Sequence, residues 1–344
     1  MARRRVVSGL FLVLLLAACS MPQVQGLGPP VRAPELDGRA LLAADGTRLP
    51  LTVWPAERPT AVLVALHGFN DYRISFDAAA RWWAARGVTT YAYDQRGFGQ
   101  ASAPGIWAGA EALVADARSA IGLARARHPG LPLYVLGDSM GGAVALLALR
   151  GREAPAVDGL ILSAPAVWGA RAMSPFYRAG LWLWAHLTPA KIVTGRQLDR
   201  LASDNIQMLR ALGRDPLVIK RARVDALYGL TRLMGRGLLS AADLGVPALV
   251  LYGARDEIVP AGAVREMAAA LKGGHRLALY PDGWHMLLRD CQAELVWGDV
   301  AAWIADAAAP LPSGAEITAA DEIRTLERGP VAETCAELAA ARAG

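Results

Sequence analysis

The chain has 344 residues, 54% of them hydrophobic, enough for one large domain or two ordinary ones around a substantial core. Its 36 Lys and Arg against 31 Asp and Glu give a formal charge of +5, but Arg3, Arg4 and Arg5 fall in a segment expected to be removed, and without them the balance is 33 against 31. That near-neutrality, with no run of basic residues interleaved with aromatics, speaks against nucleic acid as a partner.

Chain order begins with a basic stretch, "MARRR", and thirteen apolar or small residues, "VVSGLFLVLLLAA", too few to span a bilayer comfortably. Residues 1–18 read as a secretory signal. They run into Leu16-Ala17-Ala18-Cys19, which resembles the bacterial lipoprotein processing box. The resemblance implies cleavage before Cys19, acylation of its thiol and a lipid anchor that holds the protein to a membrane of the bacterial cell envelope. Several acyl chains on one residue give firm attachment. Ser20 follows where an aspartate is the alternative, which by resemblance to enterobacterial lipoproteins favours the outer membrane over the inner. Residues 20–38, "SMPQVQGLGPPVRAPELDG", are rich in Pro, Gly and polar side chains without periodicity, so 19–38 is expected to be the lipidated N-terminus and a flexible tether.

From residue 39 onward strand-like and helix-like segments alternate. "LTVWP" (51–55) and "TAVLVALHG" (60–68) read as strands, "SFDAAARWWAARG" (75–87) as a helix stopped by Gly87, "VTTYAYDQ" (88–95) as a strand and 109–130 as a long helix. "YVLGDSMGGAVALL" (134–147) is an apolar strand that breaks at small residues around Ser139 and resumes as a buried helix. "VDGLILSAP" (157–165), "VPALVLYG" (246–253) and "HRLALYP" (275–281) are further strands, with a helix over 262–273 between the last two and an amphipathic helix over 294–308. This alternation predicts an α/β fold, a mostly parallel sheet with helices on both faces, over residues 39–310. About 75 residues, 166–241, interrupt the rhythm. They are helix-like, carry Trp168, Phe176, Tyr177, Trp182, Trp184 and Met208, and leave from a strand's C-terminal end, so they are expected to form a helical cap over the ligand-binding face.

Gly137-Asp138-Ser139-Met140-Gly141 matches G-x-S-x-G, a sharp strand-to-helix turn that exposes a serine hydroxyl. A serine nucleophile needs a base, and the base an orienting acid. Of the five histidines, His285 follows the last strand in "YPDGWHMLL", a loop where this architecture gathers its chemistry. His128 lies at a helix end, His186 in the cap, His275 at the start of a strand and His67 at the end of one. For the acid, Asp256 in "VLYGARDEIVP" lies just past a strand end, with Glu257 and Asp282 as rivals. The oxyanion donors are expected to be the backbone N–H groups of Met140, after the nucleophile, and of Phe69, in the loop after an earlier strand.

"LHGFND", "DQRGFGQ", "GDSMGG", "YGARDEIVP" and "PDGWH" stand in the order and spacing of serine α/β-hydrolases, and the chain resembles their monoacylglycerol lipase and lysophospholipase subgroup over residues 40–308. "SDN" and "RDPLV" in the cap are similar to that subgroup as well. The resemblance implies the α/β-hydrolase fold with the cap inserted after the sixth strand. It further implies hydrolysis of a carboxylic ester with one acyl chain, through an acyl-enzyme on Ser139, Asp256 and His285, with no metal and no cofactor. Asp94, Arg96 and Gly97 correspond to a motif expected to hold loops near the site, whereas Gln95, Phe98 and Ala101 depart from the subgroup's usual residues. The alternatives are a general carboxylesterase or an acyltransferase on the same triad, and a non-catalytic envelope lipoprotein.

Residues 311–344 lie beyond the expected domain, a mixed-charge tail with short helical stretches and no assigned role. Cys291 and Cys335 are candidates for a disulfide that pins this tail to the domain in an oxidising compartment.

Overall fold

The runs that the sequence leaves apolar throughout become strands covered on both faces, and they carry the site. The computed structural model describes residues 21–169, 173–195, 199–272 and 274–343; Cys19 and the residues read as a leader lie outside them. Three antiparallel strands, β1 (Glu35–Leu36), β2 (Ala40–Leu42) and β3 (Arg48–Trp54), lead into β4 (Ala61–Leu66), β5 (Val88–Tyr93), β6 (Leu133–Asp138) and β7 (Gly159–Ser163). A cap holding the short ribbon β8 (Ile192–Val193) and β9 (Ala222–Arg223) comes next, then β10 (Ala248–Gly253), β11 (His275–Tyr280) and β12 (Glu316–Ile317). Among the described residues ten strands form one sheet in the order β1-β2-β3-β5-β4-β6-β7-β10-β11-β12, parallel from β5 to β11.

Alternation along β4 shows how the sheet is filled. Val62, Val64 and Leu66 face one core, with Leu113, Ala117 and Ile121 of the helix Ala110–Arg127. Ala61, Leu63 and Ala65 face the other, with Phe76, Ala80 and Trp83. The first helix, α1, is Asp77–Ala84, α2 is Ala110–Arg127 and α3, which starts after Ser139, is Met140–Ala148. Register levels the strand ends: Leu66 stands opposite Gly137, Asp138 opposite Ser163 and Gly253 opposite Tyr280. The residues that follow β4, β6, β7, β10 and β11 therefore emerge side by side along one rim, where open α/β sheets bind ligands.

The cap leaves the sheet after β7, the sixth strand when the two-residue β1 is not counted. It contains α4 (Pro175–Leu187), α5 (Ile206–Arg214) and α6 (Val224–Ser240). α6 closes onto α3, where Gly237 lies so near Ala143 that a Cβ would come within 2.9 Å of its methyl. The remaining helices are α7 (Ala261–Ala270), α8 (Ala293–Ala305) and α9 (Cys335–Ala343). No helix among the described residues is long and apolar enough to cross a membrane.

The segments on either side of the expected domain are both tied to it, the first against the expectation of a flexible tether and the second by the candidate Cys291–Cys335 bond among other contacts. In the stretch read as a flexible tether, Gln25 N and Gly26 N donate to Trp107 O and Ala108 O at 2.9 and 3.1 Å, and Gln23 N donates to Asp225 Oδ2 of α6 at 3.0 Å. Lack of side-chain periodicity did not foretell this, because main-chain groups make most of the bonds. The tail adds β12 to the sheet edge, buries Leu311 and Ile323, and ends with Cys335 disulfide-bonded to Cys291.

Arg96 ties the loop after β5 to the body. Its guanidinium donates to Asp116 Oδ2 at 2.6 Å and Oδ1 at 2.8 Å, and to Asp45 Oδ2 and Oδ1 at 2.7 and 3.0 Å, all nearly out of solvent. Asp94 in the same loop accepts from Arg73 N and Gln100 N. Arg96→Ala leaves two buried carboxylates without their cation, so unfolding in urea is expected to show a loss of about 3–5 kcal/mol.

Candidate active site

Ser139 sits at φ 51°, ψ −113°, between the end of β6 and the start of α3. A side-chain-bearing residue adopts such a backbone only when its surroundings enforce it. Ser139 N donates to Ser163 O, while Gly142 N and Ala166 N donate to Ser139 O, so the neighbouring strand and the cap entrance hold the turn. The two motif glycines are required by close approach. A Cβ on Gly141 would lie 1.9 Å from the Leu66 carbonyl oxygen, and one on Gly137 2.5 Å from the Gly142 Cα.

His285 Nδ1 lies 2.8 Å from Asp256 Oδ2, and its Nε2 lies 3.0 Å from Ser139 Oγ. A carboxylate can only accept, so the Nδ1 proton points at Asp256 and Nε2 is left to receive the serine proton. Asp256 is itself fixed, its Oδ1 accepting from Ile258 N and Val259 N at 2.7 and 2.9 Å. The rivals for the acid are engaged elsewhere. Glu257 accepts from Leu201 N and Arg328, and Asp282 from Arg255 Nε and a terminal nitrogen of the same guanidinium. Burial alone would push the imidazole of His285 down. The charge and hydrogen bond of Asp256, helped by Asp138 and Asp290, outweigh it, and the net displacement is upward from 6.5.

Beside this relay runs the turn after β4. A Cβ on Gly68 would sit 3.3 Å from Ser139 Cβ, so the turn that carries Phe69 runs beside the serine. Met140 opens α3, where the first N–H groups of a helix have no intrahelical acceptor. Asn70, at φ 68°, completes the turn, and its carbonyl accepts from Ile219 N of the cap at 2.9 Å. The structure thus brings together Ser139, Asp256, His285, Phe69 and Met140 from four separate loops.

Residues 57–292 match the family described as Hydrolase_4, serine aminopeptidase S33. The chain belongs to that family. It is 30% identical over 267 residues to a monoacylglycerol lipase of Mycolicibacterium smegmatis, covering 75% of this chain and 93% of the relative. It is 26% identical over 266 residues to the human monoglyceride lipase, with 76% and 87% covered. Among solved structures, the monoacylglycerol lipase of Paleococcus ferrophilus superposes with a TM-score of 0.63 at 21% identity, over 74% of this chain and 98% of that one. The α/β-hydrolase fold is common to them.

Around the relay, this S33-family chain buries polar groups that sequence reading passed over. His67 Nδ1 donates to Gly68 O at 2.8 Å and its Nε2 accepts from Gln95 N at 2.9 Å, locking the turn behind Phe69; burial pushes its pKa down, consistent with a neutral ring. Asp138 accepts from Ser163 Oγ at 2.9 Å, and burial pushes its carboxyl up. Asp290 receives Ser203 Oγ at 2.6 Å and Trp284 N at 2.7 Å, and burial raises its pKa to about 7. Their signal in the sequence is faint: His67 and Asp138 are one more His or Asp beside a glycine, and Asp290 one more Asp in a loop. The Ser-Asp-Asn triplet of the cap is the exception. Ser203, Asp204 and Asn205 each bond to the stretch after His285, at Asp290, Cys291 N and Arg289 O.

The relay sets a pH dependence. Only the neutral imidazole can take the serine proton, so labelling of Ser139 by a fluorophosphonate is expected to slow as pH falls through a value above 6.5. Asp256→Asn removes the largest influence that raises the imidazole and leaves burial opposed only by Asp138 and Asp290. The acid limb then moves to lower pH, and the plateau rate drops by about 10³–10⁴.

Proposed function

We propose that this protein hydrolyses carboxylic esters of single-acyl lipids, monoacylglycerols or lysophospholipids, through an acyl-enzyme on Ser139. The observation that carries the reading is the Ser139–His285–Asp256 chain of contacts at 3.0 and 2.8 Å in a chain related to monoacylglycerol lipases along most of their length. His285 takes the proton as Ser139 Oγ attacks the ester carbonyl, and the Phe69 and Met140 amides receive the oxyanion. The same imidazole protonates the departing alcohol, then activates the water that frees the acid. One such amide is worth on the order of 3 kcal/mol of transition-state stabilisation. The family's description names an aminopeptidase. The lipase relatives, matched over most of their own chains, favour the ester.

A membrane-side workplace is part of this reading. α4 exposes Phe176, Tyr177, Trp182, Leu183, Trp184 and Leu187, an apolar and aromatic surface of the kind that settles at a lipid interface. Acylation of Cys19 would hold the enzyme in the bacterial envelope with that helix near its substrate. Met21, two residues after Cys19, lies with His186 of α4 along one groove, so such an anchor would leave from beside the cap.

The test is fatty-acid release by the protein and by Ser139→Ala from a monoacylglycerol, a lysophospholipid and a short-chain ester. Release from one of the lipids is expected, falling at least about 10³-fold in the variant. Cleavage of the short ester alone would make the protein a general carboxylesterase. A folded protein that cleaves none of the three and takes no fluorophosphonate at Ser139 would overturn the reading in favour of a non-catalytic lipoprotein.

A further inference from the structure

Residues 311–343 cross the rim of the sheet on a path that touches three parts of the site in turn. After β12, Leu326 N donates to Ala254 O at 2.6 Å, and an Arg255 guanidinium nitrogen donates to Glu327 O at 2.7 Å. Arg328 comes next. Its guanidinium grips Glu257 with two bonds, Nε to Oε1 at 2.6 Å and a terminal nitrogen to Oε2 at 2.8 Å, and the same nitrogen donates to the cap carbonyl of Asp199 at 2.5 Å. Glu257 also receives Leu201 N of the cap at 2.8 Å, and Arg200 bonds to its carbonyl. Further on, Ala332 pairs with Asn205, Glu333 with Arg210, and Cys335 is bonded to Cys291, six residues past His285.

We propose that Arg328 is a positioning residue for the triad, holding through Glu257 the loop that carries Asp256 and joining that loop to the cap at Asp199 and Leu201. The inference rests on the esterase reading above. Asp256 is one peptide bond from Glu257, and its hydrogen bond to His285 depends on that loop staying in place. A planar guanidinium meeting a carboxylate with two parallel bonds fixes orientation as well as distance, which a lysine cannot reproduce. Burial does not explain the arrangement. Arg328 is more than a third exposed, and an exposed pair adds little to global stability. Its effect is local: the guanidinium also keeps the Glu257 carboxyl below its ordinary value, so the grip is ionic at neutral pH.

The experiment compares the full chain with Arg328→Ala, Arg328→Lys, Glu257→Ala and the Arg328→Ala/Glu257→Ala double variant. It reads kcat and KM on a soluble short-chain ester, the pH profile, the thermal midpoint and active-site titration with a fluorophosphonate. Arg328→Ala is expected to lower kcat per titrated site about tenfold, since small misplacements of a catalytic group are costly. Its acid limb should shift to lower pH as Asp256 loosens from His285, with little change in KM or thermal midpoint. Arg328→Lys should recover part of kcat, and the double variant should lose no more than Glu257→Ala alone. A kcat per titrated site and an acid limb equal to wild type would overturn the inference while leaving the esterase intact. So would losses in the double variant that simply multiply. A wild-type chain that is neither titrated nor active would remove the esterase reading, and this inference with it.

Discussion

The backbone at Ser139 stands at φ 51°, ψ −113°, a conformation that costs on the order of 1–3 kcal/mol. It is held because β6 and α3 meet with no room for any other path. Gly137 packs beneath Gly142, Gly141 lies against the Leu66 carbonyl, and the Ser139 amide and carbonyl are bonded to Ser163, Gly142 and Ala166. Everything else in the site is measured from that turn. The Phe69 turn lies beside it because Gly68 has no side chain to strike Ser139, and His285 reaches it only because β10 and β11 end level with each other.

Electrostatics follow from the same enclosure. The imidazole of His285 is nearly out of water, where burial disfavours its charged form, and three carboxylates in its surroundings, Asp256, Asp138 and Asp290, reverse the outcome. Two of them have their own carboxyls pushed up by burial, Asp290 to about 7. The Asp256 carboxylate, which holds the Nδ1 proton, thereby also supports the imidazolium that forms when His285 takes the serine proton.

The cap is stitched to the rim at each loop that matters. Ile219 meets Asn70 of the turn after β4, Leu201 and Asp199 reach the Glu257–Arg328 pair, and Ser203 to Asn205 bond to the stretch after His285. The two chain ends extend the stitching. Residues 23–26 run along Trp107 and Ala108 and reach α6, while the tail crosses the acid loop and closes with the Cys291–Cys335 bond. Loop and cap are thus coupled through main-chain bonds and a handful of charged side chains, beside the apolar core in which Leu233, Met234 and Leu238 of the cap pack with Met140 and Ala143.

The sequence by itself carried the sheet, the cap and the relay. Apolar runs such as "AVLVAL", short and bounded by turn residues, read as strands covered on both faces, and Ser139, Asp256 and His285 each follow such a run, so chain order alone led to the rim. It left the acid open among Asp256, Glu257 and Asp282, because neighbours in sequence differ in direction, and direction is set by folding. Only the tertiary structure separated them, turning Asp256 toward His285, Glu257 toward Arg328 and Asp282 toward Arg255. The same holds for both chain ends. The N-terminal stretch reads as loose because it lacks apolar periodicity, and the tail offers only short helical stretches and a candidate cysteine pair, yet both are held by backbone groups and the tail by a guanidinium as well. Those attachments depend on which distant residues lie alongside, and a pattern along one dimension does not record them.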